Sequence, residues 1–223
     1  MTKEVHIPFT RIRIGRFLFL LISILLVILV RPFLEDFVGI KFLMDLFFSL
    51  ILISGVYAVS RKKNTFLISL IFAFPAFFMQ WSSYIVTFPG SLFIGKLFGI
   101  LFYLFLIAVM IDYLFKEEEI TADMIIGAIC VYMLIGAMWS SIFTMLEIAH
   151  PGSFRIPDSA VSERSHFFYY SFVTLTTLGY GDITPVTSAA RSFSIVEAII
   201  GQLYIAILVS RLVGVHIAQT HNN

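Results

Sequence analysis

Residues Thr176, Thr177, Leu178, Gly179, Tyr180, Gly181 and Asp182 are the part of this chain whose types and spacing point to a defined chemistry. An ion entering a narrow passage must exchange its water shell for protein oxygens of matching number and spacing, and rings of backbone carbonyls can supply them. Aiming consecutive carbonyls at one axis requires a backbone that alternates between ordinary and left-handed conformations, and glycine reaches the latter without a Cβ penalty. Gly179 and Gly181 sit at that alternation. The side chains between them point away from the axis, which sets Tyr180 to wedge against surrounding structure. Thr177 offers both a carbonyl and a hydroxyl at the inner end, and Asp182 sets a carboxylate near the mouth, where cations gather. One such segment builds one wall, so a closed ring needs several copies.

The string resembles the signature of the tetrameric potassium channels, T-x-G-Y-G-D behind a short pore helix. Thr177, Leu178, Gly179, Tyr180, Gly181 and Asp182 match it position by position, with Leu178 where valine or isoleucine is more usual. The resemblance covers residues from roughly Ala122 to Gly214 and implies a homotetramer with K+ held at Thr177, Leu178, Gly179 and Tyr180. Many members carry a tryptophan pair, whose ring N–H groups brace the filter tyrosine, where this chain has Tyr169 and Tyr170. By that likeness Tyr170 is expected to brace Tyr180 through its hydroxyl, with Thr176 completing the support. Where some members have a glutamate coupled to the filter aspartate this chain has Val173, so Asp182 needs another partner or water.

Composition points to a membrane protein independently of the motif. Hydrophobic residues make up 59% of the 223-residue chain, charged residues 13%, and there are 25 phenylalanines; the mean hydropathy is +0.96, well outside soluble averages. The lone cysteine, Cys130, lies in an apolar run, reads as a small buried residue, and permits no intramolecular disulfide. Apolar runs near the length needed to cross a bilayer predict six spans: Ile14–Val30, Phe37–Val59, Thr65–Val86, Leu92–Phe115, Ala122–Ala149 and Ala189–Gly214. The first, preceded by Arg11, Arg13 and Arg16, also has the look of a signal sequence. No small-residue cleavage site follows it, and the run ends at Val30-Arg31-Pro32, which favours a retained helix.

The expected architecture is all-α, with six transmembrane helices plus a re-entrant pore helix and filter. Residues 1–115 form a four-helix, sensor-like domain and 116–223 the pore domain. Lys3, Arg11, Arg13 and Arg16 before span one, and Arg61, Lys62 and Lys63 after span two, place both groups in the cytoplasm. Both termini then lie inside, as does Arg211, and the filter lies toward the outside of a multi-pass protein of the plasma or inner membrane. The pore helix is expected over His166–Thr176, with its carbonyl end facing the cavity, where the partial negative charge favours a cation. Phe167, Phe168, Tyr169, Tyr170 and Phe172 give it an aromatic collar, or alternatively an interfacial belt.

Span six is expected to line the inner cavity. Gly201 stands where many members of that family have a glycine about which the inner helix bends, and hinge and close packing are both open for it. Ile205, Val209 and Val213 fall on a similar face as candidates for a hydrophobic lining or constriction. Glu197, one turn before Gly201, is an intramembrane carboxyl; support behind the pore helix and titration coupled to the gate are both open.

A voltage sensor needs several regularly spaced arginines or lysines, yet span four carries only Lys96, with Lys116 at its cytoplasmic end, so strong voltage gating is not expected. Lys96 lies about 6 Å inside its span and Asp45 about 12 Å inside span two at the helical rise, which leaves open an ion pair between them or a lysine that snorkels outward. Asp112, Glu117, Glu118, Glu119 and Asp123 read as a short solvated turn, too short to carry spans one to four across to a neighbouring subunit. His6, His150, His166, His216 and His221 lack metal-ligand spacing and are expected at surfaces or interfaces, with His166 near the outer mouth as a proton-sensing candidate.

No phosphate-cradling loop, H-E-x-x-H pair or nucleophile with its base stands out, so an enzyme is not expected, nor a cofactor, nor a nucleic-acid partner. The expected partners are K+, membrane lipids, three further copies of the chain and an unidentified gating partner. A non-selective cation channel would typically lose Tyr180 or Gly181. A non-conducting sensor or regulatory subunit would keep the motif without current, and a related uptake transporter would carry four pore repeats in one chain.

Overall fold

The computed structural model describes residues 15–34, 40–60, 63–82, 90–116, 120–157 and 163–221. Lys3, His6, Arg11, Arg13, Arg61, Lys62, Glu117, Glu118 and Glu119 lie outside the described residues, as do the side chains of Arg31, Lys41, Arg164, His216 and His221, so the charge argument for orientation rests on sequence. The architecture is helical: α1 (Arg16–Leu34), α2 (Ile40–Val59), α3 (Lys63–Ser82), α4 (Ser91–Lys116), α5 (Ala122–Ala149), α6 (Glu163–Leu175) and α7 (Ser188–His221). One short antiparallel pairing joins β1 (Phe154–Arg155) to β2 (Thr184–Pro185), with Phe154 opposite Pro185.

Four helical stretches among the described residues are long and apolar enough to cross a membrane: Lys63–Ser82, Phe93–Lys116, Ala122–Ala149 and Ser188–Val215. Arg16–Val30 and Asp45–Val59 are apolar but shorter. A helix satisfies its backbone polar groups internally, which is why chains this apolar take that form in lipid.

Helix α5 is the centre of the molecule. It is apolar nearly all round, the mark of a helix covered on several sides, and α1, α4, α6 and α7 all rest on it. It begins at Thr121, whose hydroxyl accepts from the Met124 N–H at 3.1 Å, with Asp123 in the first turn against the positive end of the helix dipole. Two glycines let rings approach its backbone. A Cβ on Gly127 would meet the Phe17 ring of α1 at 3.0 Å, and one on Gly136 would meet the Phe172 ring of α6 at 2.8 Å.

Helices α1 to α4 contact one another in chain order and lean on α5 of the same chain through α1 and α4. Asp45 of α2 is buried and accepts from the Gln80 amide of α3, while the Trp81 indole donates to Ser49 at 3.0 Å. Sequence patterning gave no sign of the Gln80 and Trp81 partners.

Helix α7 shows one covered stripe, Ala190, Ser194, Glu197, Gly201, Tyr204 and Leu208, at helical spacing. The Tyr204 hydroxyl donates to the Ala128 carbonyl at 2.7 Å. Lower down, the Arg211 guanidinium donates to the carbonyls of Leu114 (3.0 Å) and Phe115 (2.7 Å) and lies 4.9 Å from the centre of the Phe115 ring. Two carbonyls at the C-terminal end of α4, where a helix gathers negative partial charge, are thus held by a cation from α7.

Candidate ion-conducting site

Helix α6, where the pore helix is expected, ends one residue earlier than expected, at Leu175, and its end shapes the segment expected to form the filter. The Thr177 N–H bonds the Thr174 carbonyl and the Leu178 N–H bonds the Val173 carbonyl, both at 2.9 Å. With Thr177 at φ 59°, this is the Schellman closure of a helix, in which a left-handed residue turns the next N–H groups back onto the last turn. Glycine is the usual residue there; threonine bears a cost of about 1–2 kcal/mol for the same conformation. Thr176 completes the closure, its N–H and its hydroxyl both reaching the Phe172 carbonyl, at 3.1 and 2.7 Å.

Left-handed backbone then recurs at Gly179 (φ 57°) and Gly181 (φ 79°). The sequence identified the two glycines and missed Thr177, because nothing in a threonine advertises positive φ. The Gly179 N–H also turns back to the Val173 carbonyl, at 3.3 Å. Val173, whose side chain is buried, therefore holds the 178–179 backbone through its carbonyl. Among the described residues no hydrogen bond ends on the carbonyls of Thr177, Leu178, Gly179 or Tyr180. Unpartnered carbonyls in series, N–H groups tied to a helix end, and exposed side chains at Leu178 (55%) and Tyr180 (67%) together form a wall that one chain leaves open.

Two expected supports are rearranged. Tyr170 does not reach Tyr180; it is buried, and its hydroxyl shares a 2.6 Å hydrogen bond with Ser194 of α7. Its ring lies against Phe143 and Phe154, centroids 5.1 and 5.3 Å away, with Phe154 in turn 5.0 Å from Phe167. The collar is therefore internal to one chain, joining α5, β1 and α6. Tyr169 is the half-exposed tyrosine of the pair, its phenol within electrostatic reach of the Asp182 carboxylate. Asp182 accepts from the Ile183 N–H at 3.0 Å, so local backbone supplies a partner that Val173 cannot.

The arm that follows residues 176–182 is strapped to the C-terminal end of α5. Glu147 accepts from the N–H groups of Gly152 (2.7 Å) and Phe154 (3.2 Å), which shapes the turn that presents β1 to β2. The Ser153 carbonyl takes the Val186 N–H at 2.8 Å, and Arg191 reaches the Pro185 carbonyl at 3.3 Å. His166, expected at a surface or interface, is buried near the start of α6.

Behind the pore helix, Ser171 lies within 2.7 Å of the Gly136 carbonyl and also hydrogen-bonds Glu197, which is fully buried. A Cβ on Gly201 would stand 2.9 Å from Leu175 Cδ1 and 3.1 Å from the Leu175 carbonyl carbon. Helix α7 runs unbroken through this position, so Gly201 serves close approach in this conformation. The same Leu175 carbonyl accepts from Tyr132 of α5 at 3.3 Å. Ile205, Val209 and Val213 are exposed on the chain. Gln202, which the sequence did not single out, donates to the Thr177 hydroxyl at 3.3 Å.

A family model described as "Ion channel" matches residues 120–216, which span α5, α6, residues 176–182 and most of α7. "Two pore potassium channel c" of Oryza sativa subsp. japonica is 43% identical over 65 residues, 29% of this chain and 14% of that protein. "Protein LctB" of Geobacillus stearothermophilus is 32% identical over 103 residues, 46% of this chain and 72% of that protein. "Two-pore potassium channel 4" of Arabidopsis thaliana is 39% identical over 56 residues, 25% of this chain and 19% of that protein. The match thus spans only a small part of each plant relative and most of the bacterial one.

Proposed function

This chain belongs to the potassium channel family of ion channels, and from that premise we propose that it conducts K+ passively and selectively through a pore built by four copies. Membership makes it a channel and not an enzyme. The observation that carries the reading is the alternation of left-handed backbone at Thr177, Gly179 and Gly181, with carbonyls left unpartnered between them. Four such walls facing one axis give successive rings of oxygens at Thr177, Leu178, Gly179 and Tyr180, each able to replace part of the hydration shell of K+. Conduction asks only that binding be strong enough to admit the ion and weak enough to release it, so no cofactor enters.

In this arrangement six helices span the membrane, α6 enters from outside and stops partway, and both termini are cytoplasmic in the cell membrane. Residues 116–223 form the pore domain. Residues 1–115 form a sensor-like domain without gating charges, beside the pore of its own subunit; the contacts of α1 and α4 with α5, and of Arg211 with the end of α4, favour that placement. Opening is not steeply voltage-dependent. Tyr169 and Asp182 shape the outer mouth; Thr176, Tyr170 and Val173 hold the filter's scaffold. Glu197 and Gly201 seat α7 behind it, and Ile205, Val209 and Val213 line the inner cavity. Lipid covers the remaining apolar faces, and an unidentified partner sets the gate.

A flux assay tests the proposal. Liposomes loaded with K+ in Na+ medium and given a protonophore take up protons only if K+ leaves without matching Na+ entry. Uptake dependent on the reconstituted protein supports a K+-selective pore. Equal dissipation of the two gradients would indicate a non-selective pore, and no flux would turn the reading toward a regulatory subunit.

A further inference from the structure

We propose that Gln202 is a positioning residue for the innermost cation site of the filter, acting through the Thr177 hydroxyl; this rests on the reading of residues 176–182 as a K+ filter. The Thr177 hydroxyl donates to the Thr176 carbonyl at 2.6 Å, so its oxygen faces its other neighbours as an acceptor. The Gln202 amide N–H takes one lone pair at 3.3 Å. The second lone pair is left for a cation, and the hydroxyl oxygen is held from two sides.

Packing explains why a residue of α7 reaches the filter. Gly201 brings the backbone of α7 against the end of the pore helix at Leu175, and Gln202 follows it directly on an exposed flank of the helix. A bulkier residue at 201 would hold α7 away and carry the amide out of reach. Thr177 needs this support more than its neighbours do, since it combines an exposed side chain with a strained left-handed backbone. The Gln202 amide oxygen has no hydrogen-bond partner among the described residues. In a ring of four copies it stands near the inner mouth as an acceptor for water around an arriving ion.

The test uses the full-length channel in planar bilayers, with Ba2+ as the probe because it matches K+ in radius and carries twice the charge. Ba2+ is added on the cytoplasmic side, and the K+/Na+ reversal potential is recorded in the same experiment. For Gln202→Leu, half-block from inside is expected to need about tenfold more Ba2+, the scale of losing one directed hydrogen bond, with the reversal potential unchanged. Gln202→Met, closer in length and equally without an N–H, is expected to match it and serves if the leucine variant fails to assemble. Unchanged block in both overturns the inference. So does a joint shift of block and reversal potential, which would mark a general distortion of the filter. If the wild-type channel carries no K+-selective current, the filter reading itself fails, and this inference with it.

Discussion

Gly201 of α7 lies against the last carbonyl of the pore helix at Leu175, so close that a Cβ would stand 2.9 Å from one Leu175 side-chain carbon and nearer still to the carbonyl oxygen. Helix α7 and the end of α6 are therefore fitted to each other at a point where only glycine has room.

Replacing Gly201 with alanine sets two effects against each other. Alanine favours a helix interior over glycine by about 1 kcal/mol, whereas an added methyl in a closed contact costs about 1–3 kcal/mol. The methyl here meets backbone, which cannot rotate aside, so the net expectation is destabilisation. The thermal midpoint of the detergent-solubilised protein should fall for Gly201→Ala. A raised midpoint combined with reduced opening would mean that flexibility, not room, is what glycine supplies.

Ser171 has one hydroxyl proton and two oxygens beside it, those of Gly136 and Glu197. A donor at position 197 completes the set, and glutamine offers one with nearly the same shape. Glu197→Gln is expected to fold and conduct close to wild type. Glu197→Ala leaves a void and a buried hydroxyl short of a partner, costing about 1–3 kcal/mol for the unmet group alone. The comparison is read by tetramer yield and thermal midpoint; equal behaviour of the two variants would remove any role for the Ser171 contact.

Arg211 closes the end of α4 with two hydrogen bonds and its charge. Arg211→Gln should free those carbonyls and weaken the last turn of α4 by about 0.5–2 kcal/mol. The expected readout is faster backbone hydrogen exchange confined to residues near Leu114 and Phe115. Arg211→Lys should restore only part of the protection, because one ammonium cannot reproduce the planar fork. Exchange unchanged in Arg211→Gln would contradict the assignment.

At Thr177, strain and function pull apart. Thr177→Gly relieves a left-handed threonine worth about 1–2 kcal/mol and should leave the tetramer at least as stable, while removing the hydroxyl from the inner mouth. Thr177→Ser keeps the hydroxyl. Half-block by internal Ba2+ is expected to weaken in the glycine variant and stay within about twofold in the serine one, since the donor–acceptor set is preserved. Equal block in both would show that the carbonyl alone binds.

What could be read from sequence followed the range of the signal. The bounds of α5, Ala122–Ala149, came from one apolar run, and the structure has the same residues. The two filter glycines were legible because only glycine takes their conformation freely. The left-handed Thr177 was not, since tertiary closure of the helix end imposes it against local preference. Tyr170 was assigned by likeness to a tryptophan pair. A phenol, however, carries its donor at the ring tip, and in this fold that tip meets Ser194. The β1–β2 strap has two residues a side, too few for a periodic pattern. Ser171 with Glu197, and Arg211 with the end of α4, join residues far apart in the chain, and no local spacing records such pairs.

The central claim, that four copies of this chain select K+ at Thr177, Leu178, Gly179 and Tyr180, is tested most directly by the reversal potential of purified protein in planar bilayers under opposed K+ and Na+ gradients. The account requires a reversal close to the K+ equilibrium potential, with current that varies little in open fraction across voltage. A reversal near zero would contradict it.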